Sequence, residues 1–228
     1  MNNKKYYIFE MNMTTLNIGC IILLMIMMII SIFIYPSFIN DVIENVNFLF
    51  FFVLYFFYMI LHEIFHSIAY VIYGSDYKKI TYGVCLEKGV LCCLCKQNVD
   101  RRNILHSLMF PLFYIGIVTY IISLIFRMPL LFLLSIFNIS GCIGDIIMFI
   151  FILRLDKNIQ FSEFDDPVGF AIYSDRDVSN LNHFGLRYIE STNELKRCDL
   201  KKIRVSKFSF IVLIILLLLF GTLMELWR

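Results

Sequence analysis

Five apolar runs divide the chain, at 18–35, 48–73, 104–126, 128–153 and 208–224. A bilayer-crossing helix needs about 20 apolar residues, and these runs reach or approach that length. The last has 17 residues, but its Ile-Leu core is nearly unbroken, and Glu225, Trp227 and Arg228 mark an interface behind it. Only the neighbourhood of Arg127 parts the third run from the fourth. These two are expected as a tight helical hairpin, with Pro129 in the first turn of the fourth helix. Ile80–Cys85 and Val90–Cys95 alternate imperfectly about Glu87-Lys88-Gly89, which predicts a β-hairpin. The polar 154–207 segment carries turn formers at Asp165-Asp166-Pro167 and Gly169. It reads as a small subdomain or a cover lying on the membrane.

The pattern therefore predicts an all-α polytopic membrane protein of about five transmembrane helices with one small β-hairpin. Its parts are a tail, first span and outer loop over 1–47, a three-span core over 48–153, a polar segment over 154–207 and a last span over 208–228. Lys and Arg orient it, because cytoplasmic loops carry an excess of them. The tail to residue 17 holds two, 36–47 none and 74–103 six. The N-terminus and the hairpin are expected in the cytoplasm and the C-terminus outside. Arg101 and Arg102 are expected to anchor the third span at the cytoplasmic face, and the 201–207 basic run to anchor the last.

Composition agrees with a cell-membrane protein. The 228 residues are 60% hydrophobic and 17% charged, with mean hydropathy +0.78, whereas soluble domains carry about 25% charge. A net charge of +2 points to no nucleic-acid partner, because the basic residues cluster beside the spans. Ile, Phe, Asn and Lys usage points to an AT-rich, bacterial genome. No small-x-small cleavage site follows the first run, so it is expected as a retained span. Seven cysteines, an odd number, make no secreted disulfide scaffold. Cys85, Cys92, Cys93 and Cys95 are expected as apolar strand filler, with a second metal site as the minor alternative.

The candidate chemistry lies deep in the second run, at Leu61-His62-Glu63-Ile64-Phe65-His66. Residues four apart share a helix face, so His62 and His66 can reach one metal, and the neighbouring Glu63 can take a proton from water beside it. Apart from this motif, 48–73 has no charged residue. Ionisable side chains there are expensive unless used. A catalytic zinc takes three protein ligands, and Asp145 is the one charged residue between Pro129 and Leu153. The second and fourth runs cross in the same direction. His66 lies seven residues before Tyr73 and Asp145 eight before Leu153, which puts both roughly 10–12 Å from the cytoplasmic end. Gly141 and Gly144 are expected to let the HExxH helix approach closely. Asn138 and Ser140 are candidates for bonding a peptide or simply a neighbouring helix. His106 reads as an interface histidine and His183 as a surface one.

With these residues in place the chain resembles the DUF3267 family of membrane zincin peptidases, distant relatives of the site-2 protease group. The likeness rests on His62-Glu63-x-x-His66, on Gly144-Asp145, and on Asp166-Pro167-x-Gly169-Phe170, over roughly residues 48–173. It implies a three-helix core of the second, third and fourth spans, with Zn2+ held by His62, His66 and Asp145 and with Glu63 as catalytic base. The expected activity is hydrolysis of peptide bonds in membrane proteins or peptides near the cytoplasmic face. The hairpin is expected to hold an unwound substrate segment as an added strand. A non-catalytic zinc protein that binds or regulates membrane peptides is the alternative. A transporter fits less well, since the first, third and fifth spans offer almost no ionisable residues. Oligomeric state is not written in the sequence.

Overall fold

The computed structural model describes residues 5–85, 90–163, 169–179, 181, 184–189 and the backbone of 201–203. The expected turn at 87–89, the Asp165-Asp166-Pro167 turn, His183 and the 208–224 span lie outside the described residues.

The chain opens with β1 (Lys5–Met11) and α1 (Met13–Ile34), where the Asn12 side chain caps α1 by accepting from the Thr14 and Thr15 amides. A short helix, α2 (Phe38–Asn45), occupies the expected outer loop. It leads to α3 (Phe48–Ile72), which Asn47 caps through the Phe50 amide (3.2 Å). Gly74, at φ +96°, ends α3. The Ser75 amide reaches back to the Tyr70 carbonyl (2.9 Å) and the Gly74 amide to the Val71 carbonyl (3.1 Å). That pattern is a Schellman stop, which calls for a left-handed residue.

Strands β2 (Ile80–Cys85) and β3 (Val90–Cys95) follow, then β4 (Val99–Asp100) and α4 (Arg101–Pro111). After Pro111 the helix widens into a π turn over Leu112–Ile117 before α5 (Val118–Ile125). Arg127, at φ +50°, turns the chain into α6 (Pro129–Gly141), whose N1 residue is Pro129, and then α7 (Ile143–Leu153). Strands β5 (Gln160–Glu163), β6 (Gly169–Ser174), β7 (Leu186–Ile189) and β8 (Lys201–Ile203) complete the described residues.

Among the described residues three helices are long and apolar enough to cross a membrane: Met13–Ile34, Phe48–Ile72 and Arg101–Ile125. A fourth span exists if α6 and α7, bent by 42° at their junction, are counted as one. Their outer faces need lipid, since Phe33 is 82% and Leu49 78% exposed amid other large apolar side chains.

The β structure exceeds the sequence expectation of a single hairpin. The hairpin forms in the expected residues, Ile80 pairing with Cys95 and Cys85 with Val90, and β8 adds to it in the order β3-β2-β8. Residues 201–203 of the expected interface anchor are thus a strand. A second sheet runs β4-β5-β6-β1-β7. It joins the N-terminal tail to the polar segment, Phe9 opposite Phe170 and Tyr188.

The core beneath it gathers Phe9, Phe151, Phe161, Phe170 and Ile172 between that sheet and the ends of α4 and α7. Arg101, expected to anchor the entry to the third span, caps α7: its guanidinium donates to the Ile152 (3.0 Å) and Leu153 (2.7 Å) carbonyls. Asn103 donates to the Tyr73 carbonyl at the end of α3 (2.7 Å). The ends of α3, α4 and α7 are fastened at one level.

Candidate metal centre

His62 and His66 stand one turn apart on α3, and both Nε2 atoms turn toward Asp145 in the first turn of α7. The His62 Nε2 lies 3.2 Å and the His66 Nε2 3.5 Å from the two Asp145 carboxylate oxygens, and the two Nε2 atoms are 3.1 Å apart. The edge of a tetrahedron with zinc bonds of roughly 2.0–2.2 Å is about 3.3–3.6 Å. With one carboxylate oxygen near each ring, the three side chains are close enough together to share one ion. Among the described residues this is the group of metal-donor side chains that converges, and it sits mostly buried. Three acceptor atoms so close repel one another unless a proton or a cation lies between them.

Each imidazole is aimed by its other nitrogen. His62 Nδ1 lies 3.1 Å from Asn138 Oδ1 on α6, and His66 Nδ1 lies 2.9 Å from the Ser107 carbonyl on α4. Placing the proton on Nδ1 in both rings satisfies these acceptors and leaves both Nε2 lone pairs for a cation. Asn138 is therefore a support for His62 and not a group for substrate. Ser140 donates to the Phe137 carbonyl of its own helix (2.8 Å), so it makes no such contact either.

The Ser107 carbonyl is available because of a proline. A helical carbonyl normally accepts from the amide four residues on, and here that residue is Pro111, which has no N–H. Pro111→Ala restores the competing donor. The expected result is a more regular, thermally more stable helix whose zinc affinity is nonetheless lower by about 10-fold, the low end for losing a ligand's supporting bond. Zinc titration beside a melting curve checks both halves.

The glycines act otherwise than the sequence implied. A Cβ at Gly141 meets nothing within 4 Å, and one at Gly144 meets only Leu16 of α1 at 3.7 Å. Neither brings α3 closer. They flank the break at Cys142, where poor helix formers let α7 start afresh and set Asp145 in its first turn, a favourable place for an anion. Close approach occurs at Gly116, whose added Cβ would lie 2.9 Å from Ile139 and 3.4 Å from Asn138.

A cavity of about 300 Å³ opens beside the centre. Its walls include His62, Glu63, His66, Asp145, residues 90–94 of β3, and Glu163 of β5. Glu163 was not legible as a site residue. The Tyr70 hydroxyl donates to its Oε1 (2.9 Å), and the Cys95 amide donates to its Oε2. Burial pushes its carboxyl up to about 7, against those two bonds, which favour the charged form.

Among the described residues the cysteines join no converging group of metal donors. Cys92, Cys93 and Cys95 are buried and form no disulfide, and burial drives the Cys93 thiol well above and the Cys95 thiol above the ordinary range. Metal ligation needs the thiolate. Cys85 is disulfide-bonded. His106 stacks on Tyr73, ring centroids 4.5 Å apart, and takes no part in the centre.

An HExxH helix whose third donor comes from a second helix defines the class, a zincin-type metal centre. Residues 55–159, the segment that carries the centre, match the family DUF3267, described as "Putative zincin peptidase". The match stops short of the 166–170 motif. No curated protein and no solved structure matches the chain.

Proposed function

We propose that this protein is a zinc-dependent peptidase acting on membrane proteins or membrane-embedded peptides. The observation that carries this reading is the convergence of His62, His66 and Asp145 beside Glu63 at one wall of a cavity. Two histidines and a carboxylate are a zinc donor set, and three protein ligands suit a catalytic site. When bound, zinc polarises the scissile carbonyl and acidifies water at the site. His62, His66 and Asp145 hold the ion, with Asn138 and Ser107 keeping the rings in register. Glu63, next to His62, accepts the proton from water and returns it to the leaving amine.

A helical peptide bond is shielded by its own hydrogen bonds, so the substrate must be locally unwound. The edge of β3 on the cavity supports an extended segment by adding it as a strand. Cleavage of a Leu-rich membrane peptide by zinc-loaded protein in nanodiscs, abolished by a chelator and restored by zinc, tests the reading. A zinc-bound wild type that cuts no such peptide favours the non-catalytic alternative.

The Lys and Arg count puts the N-terminus and the hairpin in the cytoplasm, so cutting takes place near that face. Stable disulfides belong to oxidising compartments, so the Cys85 bridge in the structure and a cytoplasmic hairpin make opposite predictions for this residue. Reporter fusions after Asn2 and Lys88 are expected to read cytoplasm, and one after Glu44 the outside. In the same cells Cys85, alkylated after rapid denaturation, is expected to be a thiol. An outside signal at Lys88 with an intact Cys85 bridge would invert the arrangement.

A further inference from the structure

The edge of β3 that faces the cavity is already occupied. Lys96 donates its amide to the Lys79 carbonyl across the hairpin (2.9 Å). Strand amides alternate in direction, so the amides of Cys93 and Cys95 point away from β2. Their partners agree. The Cys93 amide is aimed at the Glu63 carboxylate, and the Cys95 amide donates to Glu163 Oε2.

Residues two apart on a strand repeat every ~6.7 Å, which is also the repeat of alternate carbonyls on a strand laid alongside. Two carboxylates of this chain thus stand where two carbonyl oxygens of an added peptide belong. Glu63 is fixed in α3 as part of the reacting site. Glu163 comes from a different sheet, reaches over Tyr70, and lines the same cavity.

Resting on the peptidase reading above, we propose that Glu163 is a resident competitor for the substrate backbone. Its carboxylate holds the Cys95 amide that an extended substrate must take, and binding displaces it. The same geometry sets the register. The substrate carbonyl that pairs with the Cys93 amide lies beside Glu63, so the bond cut adjoins that residue, and the carbonyl that displaces Glu163 lies two residues along. Tyr70 keeps hold of Oε1 while Oε2 turns away, so the residue is released on one side only.

The test is binding, not turnover. Zinc-loaded protein carrying Glu63→Gln, alone and with Glu163→Gln or Glu163→Ala, is titrated in nanodiscs with a dye-labelled Leu/Val membrane peptide containing a central Gly-Pro break. Zinc occupancy is measured for each, to certify the fold. Competition predicts that Glu163→Ala binds tightest, roughly 10-fold below the parent Kd, because the bond from the Cys95 amide to the Glu163 carboxyl group no longer has to be broken. Glu163→Gln, a neutral acceptor of the same shape, falls between. Hydrogen exchange at Cys95 is expected to be faster in free Glu163→Ala than in its parent, and slow again with peptide bound.

A purely structural cross-link predicts the reverse order, with Glu163→Ala weakest and Glu163→Gln near the parent. That order, equal affinities, or a peptide that binds none of the three overturns the proposal. Should Glu163→Ala lose zinc, Glu163→Gln against the parent decides alone. The peptidase reading fails separately, by a zinc-loaded wild type that cuts nothing while the competitive order holds.

Discussion

Glu63→Gln is expected to leave zinc in place and all but abolish cleavage. Glu63 is not among the three converging donors; it lies beside them, facing the cavity and the Cys93 amide. The amide of glutamine fills nearly the same volume, so the His62, His66 and Asp145 spacing survives. What is lost is a group that accepts a proton from water and gives it to the leaving amine. Removing such a group typically costs a factor of about 10²–10⁴ in rate, roughly 3–5 kcal/mol of barrier. Metal analysis and single-turnover cleavage on one preparation check the pair of outcomes. A Glu63→Gln protein that cuts at the wild-type rate would sink the mechanism.

Asp145→Ala is expected to lose metal and activity together. Both imidazole Nε2 atoms face this carboxylate at 3.2 and 3.5 Å, and it supplies the one negative charge in the donor set. Changing a residue that merely supports a ligand costs about 10–100-fold in metal affinity, so removal of the ligand itself is expected to exceed that range. Asp145→Asn keeps the shape and loses the charge, and is expected to rank between wild type and alanine in zinc affinity. Equilibrium competition with a chromogenic chelator gives the ranking. Zinc binding unchanged in Asp145→Ala would remove α7 from the centre and leave the two histidines with another partner.

The centre was more legible in the sequence than the fold around it. His62, Glu63 and His66 announce themselves because charge inside an apolar run is costly. Asp145 was singled out by counting residues to the ends of two spans, and its carboxylate lies 3.2 and 3.5 Å from the two imidazoles. The hairpin was readable for a local reason, alternation about a turn, and it formed in Ile80–Cys85 and Val90–Cys95.

The larger sheet was not readable. Its central pairing joins Lys5–Met11 to Gly169–Ser174, across nearly the whole chain, and no local pattern records such a partner. The supports of the histidines were hidden for a different cause. Ser107 acts through its carbonyl, which every residue has, and the signal was the proline four places on. Gly141 and Gly144 were seen but given the wrong task, since small residues serve equally for close packing and for breaking a helix.

That break reaches beyond the site. A straight α3 of 25 residues rises about 37 Å, whereas α6 and α7, bent by 42°, rise only about 32 Å along the axis of α6. Both exceed a hydrocarbon core of about 30 Å, the straight helix by more. An over-long span fits by tilting, so if α6 and α7 cross as one span, α3 is expected to lean more steeply than they do. Acyl-chain length then bears on the angle between the helix that carries His62 and His66 and the one that carries Asp145.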